Sequence, residues 1–139
     1  MPKHTFRIEQ NVHWRHLDAL NHVNNAEYFT YFENVRIMFL RELGYGSVSS
    51  HDTFGPILAN ISCQFKVPLE FPDTLSIGCG VTRIGNSSFD LGYDIYSETK
   101  GMIVAEGASV VVMVNYSTGK AVPIPDDVRK KINETFPDL

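Results

Sequence analysis

Apolar and polar residues alternate from residue 5 to residue 14. Phe6, Ile8, Val12 and Trp14 stand at even positions with Arg7 and Glu9 between them, a period of two that predicts a strand with one buried face. The period then changes. From Tyr28 onward, Tyr28, Phe32, Val35, Phe39 and Leu43 recur every three or four residues, with Phe29 and Leu40 beside them, and predict a helix with a wide apolar stripe. Asn24 stands three residues before Glu27, the spacing of a capping box, so the helix is expected to begin there, and Gly44 and Gly46 supply its stop. A polar connection over 47–53 follows. Residues 57–67, 74–84, 89–99 and 102–116 then read as strands, separated at 68–73, 85–88, 100–101 and 117–119 by Gly, Pro, Asn and Ser. A short second helix is expected from 125 to about 134, because Pro125 suits a helix start and Asp126 and Asp127 suit the positive end of its dipole.

Strand, long helix, then four strands is the order of an α+β domain in which an antiparallel sheet packs on one apolar helix. The short turns favour meander-like neighbours among the last four strands. No repeat or linker divides the chain, so residues 1–139 read as one domain. Apolar residues make up 43% and charged residues 20%, which excludes the compositions of disordered and collagen-like chains. A net charge of -4 argues against nucleic acid as a partner, while leaving room for local cations that hold the phosphates of a small molecule. No apolar run resembles a signal peptide or approaches a membrane span, and cytoplasm is the expected location. Cys63 and Cys79 have no CxxC spacing and read as reduced thiols on strands.

The chemistry concentrates in residues 14–26, just before the helix. A helix start presents N–H groups without intrahelical partners and the positive end of a dipole, which can stabilise an oxyanion. A carboxylate within reach adds a nucleophile or general base, the second requirement of acyl transfer. Asp18 is that carboxylate, although an Asp in such a segment also reads as a turn residue. His22 suits a general acid or base, a substrate donor, or a tie between loop and helix. Asn24 and Asn25 suit the helix start, and an amide there can also orient a carbonyl or a water. His13, His16, Asp18 and His22 invite a metal reading, but their spacing does not force convergence. Arg36 falls toward the apolar side of the helix, where it must snorkel or pair with an acid, Glu33 being the local candidate. Tyr28, Phe29, Tyr31, Phe32 and Phe39 suit a core, and also the wall of an acyl tunnel.

Arg15-His16-Leu17-Asp18, His22-Val23-Asn24-Asn25-Ala26-Glu27-Tyr28 and Phe32-Glu33-Asn34-Val35-Arg36 together resemble the N-terminal signature of the 4-hydroxybenzoyl-CoA thioesterase-like hotdog superfamily. The likeness is nearest its bacterial long-chain acyl-CoA thioesterase branch, and Phe65-Lys66-Val67-Pro68, Asp73-Thr74-Leu75 and residues 82–89 extend it. The resemblance implies a hotdog fold, a five-stranded antiparallel sheet wrapped around one long helix. It implies hydrolysis of a fatty-acyl or aryl-acyl CoA without metal or organic cofactor, coenzyme A being part of the substrate. Asp18 would be nucleophile or general base, with His22 and Asn25 as further catalytic residues and the helix N-terminus polarising the thioester. Asn24, Ala26 and Tyr28 would line the substrate, and Arg83, Asn86, Ser87 and Ser88 would meet coenzyme A. Subunits would pair as a homodimer or homotetramer with the site at their interface. Branches that use a helix glutamate would nominate Glu27 or Glu33 instead. A non-catalytic acyl-thioester-binding protein and an enoyl-thioester hydratase are the competing functions.

Overall fold

The computed structural model describes residues 2–45 and 53–139. The stop expected at Gly46 and the connection over 47–52 lie outside the described residues. Strand β1 (Phe6–Asn11) is shorter than its alternation predicts, because the chain turns after Asn11 into a single 3-10 turn at Trp14–His16, which leaves Trp14 exposed. Helix α1 (Asn25–Leu40) begins where expected, with the Asn24 side chain accepting the Ala26 N–H at 2.9 Å. The reciprocal half of the capping box is absent. The Asn24 N–H donates instead to the His16 carbonyl at 2.9 Å, so the loop rather than Glu27 satisfies it. The helix ends through a wider turn, Arg41–Tyr45, in which Gly44 takes φ 109°, a conformation that a side chain would disfavour.

Strands β2 (Phe54–Phe65), β3 (Thr74–Ile84), β4 (Ser88–Ser97) and β5 (Met102–Asn115) join β1 in one antiparallel sheet of order β1-β3-β4-β5-β2. The meander is therefore confined to β3, β4 and β5. One edge of β3 is taken by β4 and the other by β1, with Phe6 opposite Cys79, so β2 must pair with β5 on the far side. Register shifts at Leu58/Asn60, Val81/Arg83 and Ile95/Tyr96 bend the strands, as bulges do. Helix α2 (Asp126–Thr135) buries Val128 and Ile132.

The stripe of α1 forms the core with Leu75, Ile77, Leu91, Tyr93 and Ile95, and Phe32 stacks on Tyr93 at 4.7 Å between centroids. A Cβ on Gly107 would stand 2.5 Å from the Phe32 ring, so the helix reaches this depth only over a glycine. This is the hotdog arrangement that the resemblance implies. The helix backbone lies nearest β1 and β3, while Phe65 of β2 reaches its first turns through Tyr28 and Phe29.

Candidate active site

Between β1 and α1 the chain makes a small hairpin. Leu17 and Val23 form an antiparallel bridge, and Val23 donates its N–H to the Leu69 carbonyl at 2.8 Å, which anchors the hairpin to the segment after β2. Asp18 donates its N–H to the His22 carbonyl at 2.8 Å, and Asn21 closes the turn at φ 61°, a left-handed conformation that Asn tolerates better than most residues. The Asp18 side chain takes part. Its Oδ1 accepts the Leu20 N–H at 2.8 Å and the His22 N–H at 3.3 Å, while Oδ2 accepts no hydrogen bond among the described residues. The turn-residue role and the candidate catalytic role thus fall on different oxygens of one carboxylate. Val23 leads directly into the N-cap Asn24, so one segment of seven residues, from Asp18 to Asn24, carries both the held carboxylate and the helix start.

The His22 backbone thus helps to hold Asp18, and its half-buried imidazole has no hydrogen bond or ion pair among the described residues. Asn25 and Ala26 are exposed at the helix start, and the Asn25 N–H, at the first helical position, has no intrahelical partner. Tyr28 is buried, packs edge-on against Phe65 at 4.9 Å between centroids, and has its phenol pKa raised by burial. It belongs to the core as well as to the wall of this region.

His16, weighed in the sequence only as a metal ligand, is a constituent of the loop. Its ring is buried, and Nδ1 lies 2.9 Å from the Tyr31 hydroxyl and 3.2 Å from the His13 N–H. A nitrogen that accepts a backbone N–H is unprotonated, so the Tyr31 hydroxyl donates to it and the ring proton sits on Nε2, which faces the Glu27 carboxylate at 3.8 Å. Burial lowers the imidazole pKa from its ordinary 6.5, against the opposing pull of Glu27. Glu27 is thereby turned toward His16. Glu33 is exposed and faces Arg36 at 3.8 Å, so neither helix glutamate shares the position of Asp18. His13 packs edge-on against His16 at 5.0 Å, and among the described residues no three of His, Cys, Asp and Glu gather as a metal site.

Arg83, Asn86, Ser87 and Ser88 lie elsewhere. The β3–β4 turn stands at the opposite end of β3 from Thr74, which pairs with Asn11 near the hairpin, and an eleven-residue strand spans roughly 35 Å. Arg83 is paired there with Asp90 at 3.0 Å and donates to Ser88, and Arg129 donates to the carbonyls of Gly85 and Asn86. One chain does not bring this turn to its own Asp18.

A family model described as the thioesterase-like superfamily matches residues 12–132. The chain belongs to this superfamily. Membership makes it a thioester hydrolase on a hotdog scaffold. It is 26% identical over 119 residues to the long-chain acyl-CoA thioesterase FadM of Escherichia coli strain K12, covering 86% of this chain and 90% of that one. The structure of a gentisyl-coenzyme A thioesterase superposes with a TM-score of 0.80 at 26% identity, over 91% of this chain and 98% of that one. A thioesterase from Thermus thermophilus, solved with coenzyme A and zinc, gives 0.81 at 25% identity, over 96% and 95%. No helix among the described residues of this thioesterase is long and apolar enough to cross a membrane.

Proposed function

We propose that the protein hydrolyses acyl-CoA thioesters, fatty or aryl, to the free acid and coenzyme A at the Asp18 hairpin. The observation that carries this reading is the single short segment in which Asp18, fixed through Oδ1 and open at Oδ2, adjoins the N-terminus of α1. As general base, Asp18 removes a proton from water as the water oxygen bonds to the thioester carbon; as nucleophile, its own oxygen forms that bond and water later cleaves the anhydride. Either way the carbonyl electrons move onto oxygen, where the positive end of α1 and the unpaired N–H of Asn25 stabilise the charge. Collapse breaks the carbon–sulfur bond, and the thiolate leaves and takes up a proton, for which the His22 imidazole of the same hairpin is the candidate donor. Attack, proton transfer and oxyanion stabilisation are thus met by side chains and backbone without metal or organic cofactor. Asn24, Ala26 and Tyr28 line the acyl side of this site. The names of the relatives, acting on long-chain acyl-CoA and gentisyl-CoA, support the substrate class.

We read the active form as a cytoplasmic homodimer, or a homotetramer built from it. Strand β2 is an edge that carries exposed Phe54, Ile57, Leu58 and Phe65, and a free edge with apolar side chains invites a second copy. The separation of the β3–β4 turn from Asp18 fits this reading, since Arg83, Asn86, Ser87 and Ser88 can meet the coenzyme A of a site only from the other subunit.

The test is free-thiol release from short, medium, long-chain and aryl CoA thioesters by wild type and Asp18→Asn. The variant should lose on the order of 10²–10⁴-fold in kcat while keeping its fold. Equal activity would remove Asp18 from the mechanism, and a folded wild type that releases no thiol from any member would sink the substrate assignment.

A further inference from the structure

His16 stands two residues before Asp18, at the end of the 3-10 turn, and four hydrogen bonds meet on it. Its N–H donates to the His13 carbonyl at 2.9 Å, and its own carbonyl accepts the N–H of the N-cap Asn24 at 2.9 Å. On the ring, Nδ1 accepts the His13 N–H at 3.2 Å and the Tyr31 hydroxyl at 2.9 Å. Tyr31 is buried in the stripe of α1, and its hydroxyl has no other hydrogen bond among the described residues. Burial pushes the Tyr31 phenol pKa up, so the hydroxyl stays a donor. The ring thus fastens the turn to the flank of α1, and the carbonyl fastens it to the start of the same helix. The chain between these attachments is the Asp18 hairpin, which leaves His16 and returns at Asn24, so a shift of His16 moves the carboxylate relative to the helix start.

These bonds suit one state of the ring only. A proton taken from solvent onto Nδ1 turns an acceptor into a donor, which leaves the His13 N–H without its acceptor and faces the Tyr31 hydroxyl with a second donor. A buried donor without an acceptor is costly, so the imidazolium cannot keep the same seat. The groups that face the ring are Glu27 and Tyr31 of α1 and His13 and Arg15 of its own turn. Burial opposes protonation, Glu27 favours it, and the charges of His13 and Arg15 oppose it.

We propose that His16 is a positioning residue for hydrolysis: as the neutral imidazole it clasps the Asp18 hairpin to α1, and its protonation on Nδ1 opens the clasp and switches the enzyme off in acid. This rests on the reading of Asp18 as the hydrolytic residue. His16 itself need not meet the thioester, since it acts through the two ends of the hairpin.

The experiment records kcat/KM against pH, from about pH 8 to about pH 4, for one thioester that the wild type cleaves. Wild type, His16→Asn, Tyr31→Phe and Glu27→Gln are compared, with circular dichroism at each pH. The wild type should lose about tenfold per pH unit below a midpoint that lies under 6.5, while it is still folded. Tyr31→Phe removes the donor that favours the neutral ring and should raise that midpoint. Glu27→Gln removes the carboxylate that favours the protonated ring and should lower it, each variant changing kcat/KM about threefold at a fixed pH on the limb. His16→Asn, whose amide oxygen can still accept a backbone N–H, should lose the step. A merely structural ring would lower the plateau in these variants without moving the midpoint. A step that survives in His16→Asn, a midpoint that the other two variants leave in place or move in one direction, or a limb that coincides with unfolding overturns the proposal. If no thioester is cleaved, the hydrolytic reading has failed, and nuclear magnetic resonance decides on the clasp alone. The His16 ring and the amides of Leu20, in the hairpin, and Ala26, at the helix start, should then titrate with one midpoint that Tyr31→Phe and Glu27→Gln move in opposite directions. Amides that do not follow the ring end the proposal.

Discussion

At the residue scale, His16 shows how a candidate site is held together by a buried ring. Its ring joins the 3-10 turn to α1 through Tyr31, and its carbonyl receives the Asn24 N–H, so one residue orients both the hairpin of Asp18 and the helix start. Because burial lowers its pKa, the unfolded chain takes up a proton near pH 6.5 that the folded ring resists. The contribution of His16 to stability is therefore full above that pH and is lost as pH falls below it. His4, also lowered by burial, acts in the same direction. The melting temperature should drop between about pH 7 and about pH 5, and His16→Asn should flatten part of that slope; an unchanged slope would assign the whole effect to His4 or to carboxylates. Asp18 was legible in the sequence because a carboxylate before a helix start is a local pattern. His16 was read there only as a metal candidate, because its partner Tyr31 lies fifteen residues on, hidden in the apolar stripe it serves. Arg36 was legible as an anomaly of that same stripe with Glu33 as its local partner, but its second partner, the Tyr93 hydroxyl, lies fifty-seven residues on and became visible only in the fold.

The elements themselves were largely written in the hydrophobic period: the helix start at Asn24 and the five strands stand within a few residues of their expected places. What the period could not carry was the neighbour relation. Alternation states that a strand has one buried face and says nothing of which edge it offers, so the placement of β2 beside β5 depends on β1 having claimed β3. The depth of α1 against the sheet was equally silent, since it turns on one missing side chain. Gly107→Ala would bring a methyl group to 2.5 Å from the Phe32 ring, too close for either to remain in place. Denaturant unfolding should show a loss of about 1–3 kcal/mol, the usual cost of overpacking a filled core. A loss below that range would mean that the helix rises from the sheet without penalty.

At the scale of the whole molecule, the sheet has two edge strands, β1 and β2, and β2 is the one that carries a row of exposed apolar side chains among the described residues. Pairing two copies there would cover Phe54, Ile57, Leu58 and Phe65 together. Sedimentation at micromolar concentration should therefore give a dimer or tetramer, and Leu58→Lys, which puts a charge on the edge, should shift the population toward monomer. A wild-type monomer at that concentration would contradict the assembly. Composition and length spoke for a folded chain without indicating where it was incomplete, because an exposed apolar edge reads in sequence like any other strand.

The cleft of about 330 Å³ where Ile37 and Leu40 of α1 meet Ile57 and Leu58 of β2 has a thermal consequence. An apolar interior that is left unfinished on one side is finished by whatever occupies it, so a fitting acyl group behaves as a removable part of the core. Such a ligand raises the unfolding free energy by about 2.7 kcal/mol at a hundredfold excess over its dissociation constant. Melting curves of Asp18→Asn protein, which should hold its substrates without consuming them, would then sort thioesters by the fit of their acyl groups, and the identity of the natural acyl chain could be read from heat alone.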